Sequence, residues 1–437
     1  MRFADLGISD GAVRRLSARG IEKPTPIQEL ALPPALAGRD VLGLARTGTG
    51  KTLAFALPIA ERLAPSKSRG RAPRALVLAP TRELALQVAR EFAWLAPHLQ
   101  GVAVYGGTGY QAQARALKEG ADVVVATPGR ARDYLKRGVL DLGRVEIAVL
   151  DEADEMLSMG FEEEVEALLG ATPKARQTLF FSATLPPWAR RLARKHLKDP
   201  VMADVTRDER VAYREEVYRV PGRARERVLS DLIFAKAPKR AIVFVRTKAE
   251  ADRIAGALSE RGHAARAVHG DLGQRERERT LLAFREGRAR VLVATDVAAR
   301  GLDIPEVELV VHYQLPERAE AYQHRSGRTG RAGRAGTVAL LVEGNERHRV
   351  RRLEDAVGRR FERAELPSPE VARHARFKVL LDRARSQPEA KRARWREAAQ
   401  AWIRAGDIET LAGLLAHLLE ADAGGRGQGI RRRAFRS

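Results

Sequence analysis

No cysteine occurs in the 437-residue chain, and that absence excludes disulfides, thiolate metal sites and thiol catalysis together. No run approaches the roughly 20 consecutive apolar residues that cross a bilayer, so no membrane partner is expected. The nine histidines fall at no metal-ligand spacing, so no structural metal is expected either. Met1–Asp10 has neither a basic start nor an apolar run, and no secretory signal is read there. No internal repeat with a period of roughly 20–50 residues is visible. At 44% apolar and 31% charged, the chain reads as soluble and cytoplasmic, with room for two or three domains.

Cations are abundant. The formal net charge is +22, and most of the positive residues are arginine. Such a balance fits either a solvated surface or a polyanion partner, because neutralising phosphates releases counterions and gives sequence-independent affinity. Charge alone does not separate RNA, DNA and acidic membrane.

Short apolar, β-branched runs alternate with helical patterns. They stand at Ala75–Leu78, Asp122–Ala126, Ile147–Leu150 and Leu179–Ser182, then at Ala241–Val245, Val291–Ala294, Leu309–His312 and Val338–Val342. Continuous apolar strands between helices predict parallel sheets covered on both faces, hence an α/β fold. Thr206–Arg214 is polar and strongly charged and marks a linker. The expected division is a first domain over 1–205, a linker over 206–213 and a second domain over 214–363. A helical extension over 364–421 and a basic Gly/Arg tail over 422–437, read as disordered, complete it.

Chemistry concentrates in two runs. Ala45, Arg46, Thr47, Gly48, Thr49, Gly50, Lys51 and Thr52 follow the apolar Val41–Leu44 and precede the helical pattern Leu53–Leu63. Strand, glycine-rich loop and helix in that order form a phosphate cradle, although Ala45 stands where the pattern usually has glycine. Lys51 supplies a point charge and the Thr52 hydroxyl can ligate Mg2+. Asp151-Glu-Ala-Asp154 follows the apolar Val145–Leu150, which puts Asp151 at the end of a buried strand. There it can hold the metal of an ATP–Mg2+ complex while Glu152 addresses a water. The second domain has no such loop.

The second run identifies the family that the chain resembles, the DEAD-box RNA helicases of helicase superfamily 2, over about residues 1–363. The resemblance implies two RecA-like parallel-sheet domains in tandem and a set of roles. Gly20–Gln28, with Lys23, Thr25 and Gln28, looks like the segment that reads adenine, with Phe3 placed to stack on the base. Pro80, Thr81 and Arg82, then Gly106 and Gly107, then Thr127, Pro128, Gly129 and Arg130 look like RNA-backbone contacts. Ser182 and Thr184 match the element that couples ATP state to strand separation, and His324 is implied to contact the Asp154 region. In the second domain Arg246, Gln274, Arg277 and Thr295 match RNA contacts, and Asp303 the ribose contact. His324–Arg331 closes the set, with Ser326 where an isoleucine-like residue is usual, a departure expected to change little.

Residue chemistry supports these roles independently. Arg328 and Arg331 lie three apart in a Gly-rich segment of the domain lacking a phosphate loop, and guanidinium groups suit charge on a transferring phosphoryl group. Hydrolysis is then expected to require both domains, and the resemblance implies that closure on RNA and ATP bends one strand of a duplex. Threonines, arginines and backbone amides contact phosphate and ribose without reading bases, and 2′-hydroxyl contacts favour RNA. An ATP-gated RNA clamp or annealing chaperone has the same core, and a DNA helicase of the superfamily is a third reading that Gln28 and Pro80–Leu84 argue against.

Beyond the core, Phe377, Leu380, Leu381, Trp395, Ala398, Ala399 and Trp402 fall at helical spacing. Ile408, Leu411, Leu414, Leu415, Leu418 and Leu419 form the densest stripe, with Asp407 as its N-cap. The stripe either docks on the second domain or pairs with a second copy. Resemblance to the bacterial heat-resistant RNA-dependent ATPase subgroup favours a homodimer. That subgroup's RRM-like RNA-binding domain is not expected in the sixteen residues after Ala421, and the five arginines of Gly424–Ser437 either anchor RNA nonspecifically or are inert.

Overall fold

The computed structural model describes all residues except 46–47, 66–67, 69, 207–212, 300–303, 305, 331–334, 386–387, 407–408, 411 and 414–437. Two compact units result, one built from residues up to Thr206 and one from Tyr213 onward.

The first unit carries a seven-stranded sheet. Its strands are β1 (Val41–Leu44), β2 (Ala75–Leu78), β3 (Gly101–Val104), β4 (Val123–Ala126), β5 (Ile147–Leu150), β6 (Gln177–Ser182) and β7 (Val201–Asp204). They lie in the order β3-β4-β2-β5-β6-β1-β7, and every pairing is parallel. Successive side chains of a strand enter opposite cores, because the pleat repeats every two residues. Val77 and Val149 join one core, with the helix Lys51–Arg62; Leu76 and Leu150 join the other, with the helix Pro128–Lys136. At Gly43 a Cβ would lie 2.4 Å from the Phe181 ring, so β1 needs glycine to stay in register with β6.

The second unit repeats the plan with β8 (Tyr213–Arg219), β9 (Ala241–Val245), β10 (Ala265–Val268), β11 (Val291–Thr295), β12 (Leu309–His312), β13 (Gly336–Val342) and β14 (Glu362–Ala364). Their order is β10-β11-β9-β12-β13-β8-β14, again parallel throughout. The expected two-sheet α/β architecture is therefore present.

Differences from the sequence reading lie at the sheet margins. The unanticipated strands β3, β7, β10 and β14 are the four edges, and β8 lies beside one of them. An edge strand exposes part of its length, and charged residues interrupt β7 at Asp204, β10 at Arg266 and β14 at Glu362 and Arg363; β3 is apolar but only four residues long, with Gly101 exposed. β8 begins at Tyr213, so Tyr213 and Arg214 belong to a strand rather than to the linker, paired with Gly336 and Thr337.

The extension supplies two helices, Pro369–Arg385 and Glu389–Ala405. The first packs on the helix Arg225–Lys236 of the second unit, so this part of the extension docks. The leucine stripe from Ile408 to Leu419, its proposed cap Asp407 and the tail 422–437 lie outside the described residues.

Candidate functional site

A parallel sheet gathers the loops that follow its strands along one edge, where open α/β sheets bind ligands. In the first unit the phosphate loop follows β1, Asp151–Asp154 follows β5 and Ser182–Thr184 ends β6. These three strands are neighbours in the order β5-β6-β1. Thr81–Arg82 follows β2, Gly106–Gly107 follows β3 and Thr127–Arg130 follows β4, and these strands are neighbours in the order β3-β4-β2. One edge therefore carries two adjoining fields, joined where β2 pairs with β5.

The β5-β6-β1 field is built around two buried charged side chains whose hydrogen-bonding valences the protein itself leaves open. Lys51 begins the helix Lys51–Arg62 and is 5% exposed, and its Nζ has no hydrogen-bond partner. Asp151 is 2% exposed, and its Oδ1 likewise has none. Burial pushes the Asp151 carboxyl up to about 7, against the pull of Lys51 and with a further push from Glu152. A buried ammonium and a buried carboxylate with open valences cost stability unless a ligand satisfies them. Triphosphate oxygens suit Lys51 and a divalent cation suits Asp151, so the donor set fits an ATP–Mg2+ complex. Thr52 is half-buried on the first turn of the same helix.

Gln28 sits deeper than its expected role suggests. It is 1% exposed; its Nε2 donates to Gly50 O at 2.9 Å, and its Oε1 accepts from Thr25 N–H at 3.0 Å. Gly50 has φ 92°, and a Cβ there would meet Gln28 Nε2 at 2.5 Å. The glutamine thus clasps the phosphate loop at a position only glycine can occupy. Phe3 is 2% exposed and packed in the first core, which sets it among Leu6, Ile8 and Ile27 rather than in an open cleft. Lys23 is exposed, Thr25, Thr49 and Gly50 are half-buried, Gly48 is exposed and Ala45 is buried. Arg46 and Thr47 lie outside the described residues.

Asp154 ties the two ends of this field together. Its carboxylate accepts from Thr184 N–H and from the Thr184 hydroxyl, both at 2.8 Å, and its backbone N–H donates to Ser182 Oγ at 3.2 Å. Asp154, Ser182 and Thr184, the residues expected to couple ATP state to strand separation, are therefore in direct contact. Glu152, between the two aspartates, caps the helix Ala153–Ser158 with φ 52°, a conformation rarely adopted by a side-chain-bearing residue.

In the adjoining field, aromatic rings hold the cationic residues. Thr81 caps the helix Arg82–Leu95 by accepting from Leu84 N–H at 3.3 Å, and the Arg82 guanidinium lies 4.7 Å from the Tyr105 ring centre. Arg130 lies 5.7 Å from the Tyr110 ring and 5.8 Å from Tyr134, with Nη2 donating to Thr108 O at 3.4 Å. Arg82 Nε and Arg130 Nη1 remain buried without a hydrogen-bond partner. Pro80 is buried and Pro128 opens the helix Pro128–Lys136 after Thr127. Added Cβ atoms at Gly107 and Gly129 would meet nothing within 4 Å, so both backbones face open space. The placement of Tyr105, Tyr110 and Tyr134 escaped the sequence reading; only Tyr105, directly before Gly106, carries a local signal, and the other two are brought to Arg130 by the fold.

The second unit places its candidates along the same edge of its own sheet. Arg246 follows β9 and is exposed, and Thr295 ends β11 at 7% exposure. Gln274 and Arg277 lie on the helix Gln274–Arg285, where Gln274 Nε2 donates to Glu278 at 2.7 Å and Arg277 Nη2 to Ala298 O at 3.3 Å. His324 lies on the helix Ala319–Ser326, and Arg328 follows it at 7% exposure, its carbonyl accepting from Val307 N–H at 3.1 Å. Asp303 and Arg331 lie outside the described residues. Ser326, where the family usually has an isoleucine-like residue, is fully buried, and its Oγ lies 3.2 Å from His312 Nε2.

Among the described residues no helix is long and apolar enough to cross a membrane. Residues 25–192 match the DEAD/DEAH box helicase family, residues 224–333 the helicase conserved C-terminal domain and residues 367–418 the dimerization domain of RNA helicase Hera. The chain is 48% identical over 392 residues to DEAD-box ATP-dependent RNA helicase 53 of Oryza sativa subsp. japonica, covering 87% of this chain and 64% of the relative. Against the chloroplastic DEAD-box ATP-dependent RNA helicase 3B of Zea mays it is 50% identical over 381 residues, 85% of this chain and 51% of that one. The chain thus spans between 51% and 64% of the length of these two plant relatives. ATP-dependent RNA helicase DeaD of Escherichia coli (strain K12) is 42% identical over 433 residues, 96% of this chain and 68% of the relative. The structure of S. cerevisiae Dbp5 bound to RNA and ADP BeF3 is similar at a TM-score of 0.76 and 31% identity, covering 86% of this chain and 98% of that one. Likeness on that scale, carried through both sheets and the segments along their edges, makes this chain a member of the DEAD-box RNA helicase family.

Proposed function

We propose that the chain is an ATP-dependent RNA helicase in which RNA-stimulated ATP hydrolysis drives local, nonprocessive separation of RNA duplexes in a cytoplasmic setting. The observation that carries this reading is the pair of buried groups with open hydrogen-bond valences, Lys51 Nζ and Asp151 Oδ1, on a sheet edge that adjoins the field at Thr81, Gly107 and Thr127. Nucleotide and polynucleotide sites on adjacent strands of one sheet give each ligand a route to bias the other.

In this reading Lys51 and the phosphate-loop amides bind the triphosphate, and Gln28 reads adenine with the amide valences left over from Gly50 and Thr25. Thr52 and Asp151 would hold Mg2+, which when bound neutralises charge on the phosphate oxygens. Glu152 positions a water and takes its proton, and Arg328 and Arg331 of the second unit supply cations for the phosphoryl group in flight. Thr184 and Ser182, bonded to Asp154, report the state of that field to the RNA contacts. Lys51→Ala is expected to lower RNA-stimulated kcat for ATP hydrolysis by about 10²–10³-fold, the scale of losing one oriented electrostatic donor. Stimulation by RNA but not by DNA of matched sequence, measured on the wild type, is the companion result. Near-normal turnover in the variant, or equal stimulation by DNA, would count against the reading.

We also infer a homodimer through the extension, and with it membership of the heat-resistant RNA-dependent ATPase subgroup. Support comes from the match of residues 367–418 to the dimerization domain of RNA helicase Hera. Ile403, 68% exposed on the helix Glu389–Ala405, is an apolar side chain that a partner copy would cover. Light scattering on the full chain is expected to give twice the monomer mass, and a monomer after truncation at residue 366. A monomeric full chain would refute the dimer alone.

A further inference from the structure

His312 ends β12 at 0% exposure, buried in the middle of the second sheet. Three residues of the helix Ala319–Ser326 converge on it. Tyr322 stacks on its ring at 5.1 Å between centroids and 22° between planes. Arg325 Nη1 lies 3.4 Å from His312 Nδ1, and Ser326 Oγ lies 3.2 Å from His312 Nε2. An arginine can only donate, so Nδ1 accepts and the ring proton sits on Nε2, donated to Ser326 Oγ. Burial, reinforced by the adjacent Arg325 charge, holds this imidazole neutral, with its pKa well below the ordinary histidine range.

The rest of Arg325 is equally committed. Its Nε and Nη2 fork onto the Asp296 carboxylate at 2.5 and 2.6 Å, and Nη1 also donates to Gln314 O at 3.2 Å. Asp296 is the residue after Thr295, and Arg325 stands beside His324 and three residues before Arg328. The Arg328 N–H in turn donates to Arg325 O at 3.2 Å. Nη1 thus has two acceptors, His312 Nδ1 and Gln314 O, and without His312 the guanidinium keeps its Asp296 fork but loses one of the contacts that fix its plane.

We propose that His312 is a positioning residue for the ATPase, fixing Arg325 so that the Arg325–Asp296 fork locks the Thr295 turn to the helix leading into Arg328. The inference rests on the helicase reading above. It adds a link inside the second unit between an RNA-contact residue and the segment that supplies the phosphoryl-directed arginines. Neither His312 nor Ser326 touches nucleotide or RNA in this scheme; both act through Arg325. Ser326 keeps the Nε2 proton satisfied in the core, a place where an isoleucine would leave it unmet.

Two substitutions of the full chain separate positioning from packing. H312F retains the buried ring and loses both hydrogen bonds; H312N retains an acceptor near the Nδ1 position. With a saturating single-stranded oligoribonucleotide, H312F is expected to lower kcat for ATP about tenfold, the effect of one lost bond to a charged group. Its KM for ATP should stay within about twofold of wild type, because the phosphate cradle around Lys51 and Gln28 lies in the first unit. H312N should retain most of the stimulated kcat. Hydrogen exchange of the 319–326 amides, followed without any ligand, should speed up in H312F and not in H312N. Wild-type stimulation in H312F, or equal impairment of H312F and H312N, would overturn the proposal. Failure of the wild type to respond to RNA would instead sink the helicase reading; the exchange result then still decides whether His312 positions the helix.

Discussion

Arg331→Ala is expected to reduce RNA-stimulated ATP turnover by about 10³–10⁵-fold, the scale of removing an arginine that meets a transferring phosphoryl group. Charge alone does not account for that size. A guanidinium presents a planar pair of N–H donors to equatorial phosphoryl oxygens, whereas an ammonium offers a strongly hydrated point charge. Arg331→Lys should therefore recover only a small part of the loss. The binding of a fluorescent ATP analogue without RNA should be nearly unchanged, because the cradle around Lys51 and Gln28 belongs wholly to the first unit. A split of that kind, intact binding with lost turnover, is the signature of an interaction made in the transition state. Turnover within tenfold of wild type would show that the second unit contributes no phosphoryl-directed cation at this position.

Why this arginine segment could be read from the sequence, while other parts of the site could not, follows from how each signal is encoded. Residues at the ends of inner strands are announced by the strand itself: Val41–Leu44, Ile147–Leu150 and Val291–Ala294 are apolar without a break, so Ala45, Asp151 and Thr295 fall at positions fixed by the run before them. Edge strands carry a weaker mark, because exposed or charged residues such as Met202, Arg266 and Glu362 interrupt them. Glu362–Ala364 reads as a charged loop and forms β14 only because β8 offers it an unpaired side. Long-range side-chain pairs are harder still. Nothing local in Gln28 says that its amide will clasp Gly50, nothing in Ser326 points to His312 fourteen residues earlier, and Tyr322 meets Glu215 from 107 positions away. Composition records which polar groups are buried only after the topology has chosen their neighbours. The motifs thus reveal the chemistry, and the sheet order reveals which pieces of chemistry are adjacent.

Glu152→Gln is expected to lower kcat by about 10²–10⁴-fold, the range for removing a positioned general base, while ATP and RNA binding persist. Gln has the same length and shape, so the cap of the helix Ala153–Ser158 and the Asp154–Thr184 bonds should stay in place. With hydrolysis blocked after assembly, RNA should dissociate more slowly in the presence of ATP than from wild type, and a fluorescence off-rate measurement reads this directly. Backbone geometry supplies an independent check that Glu152 is kept for chemistry. At φ 52° a side-chain-bearing residue costs roughly 1–2 kcal/mol relative to glycine in this region. Glu152→Gly should accordingly relieve backbone strain and raise the thermal midpoint of the ligand-free protein, even though it loses turnover as Glu152→Gln does. Stability and activity moving in opposite directions at one position is what a residue held in place for its reaction predicts. If Glu152→Gly instead melts earlier than wild type, the glutamate contributes to the fold through its own contacts. Should Glu152→Gln then also turn over ATP at the wild-type rate, the water-activating role would pass to another group of this field.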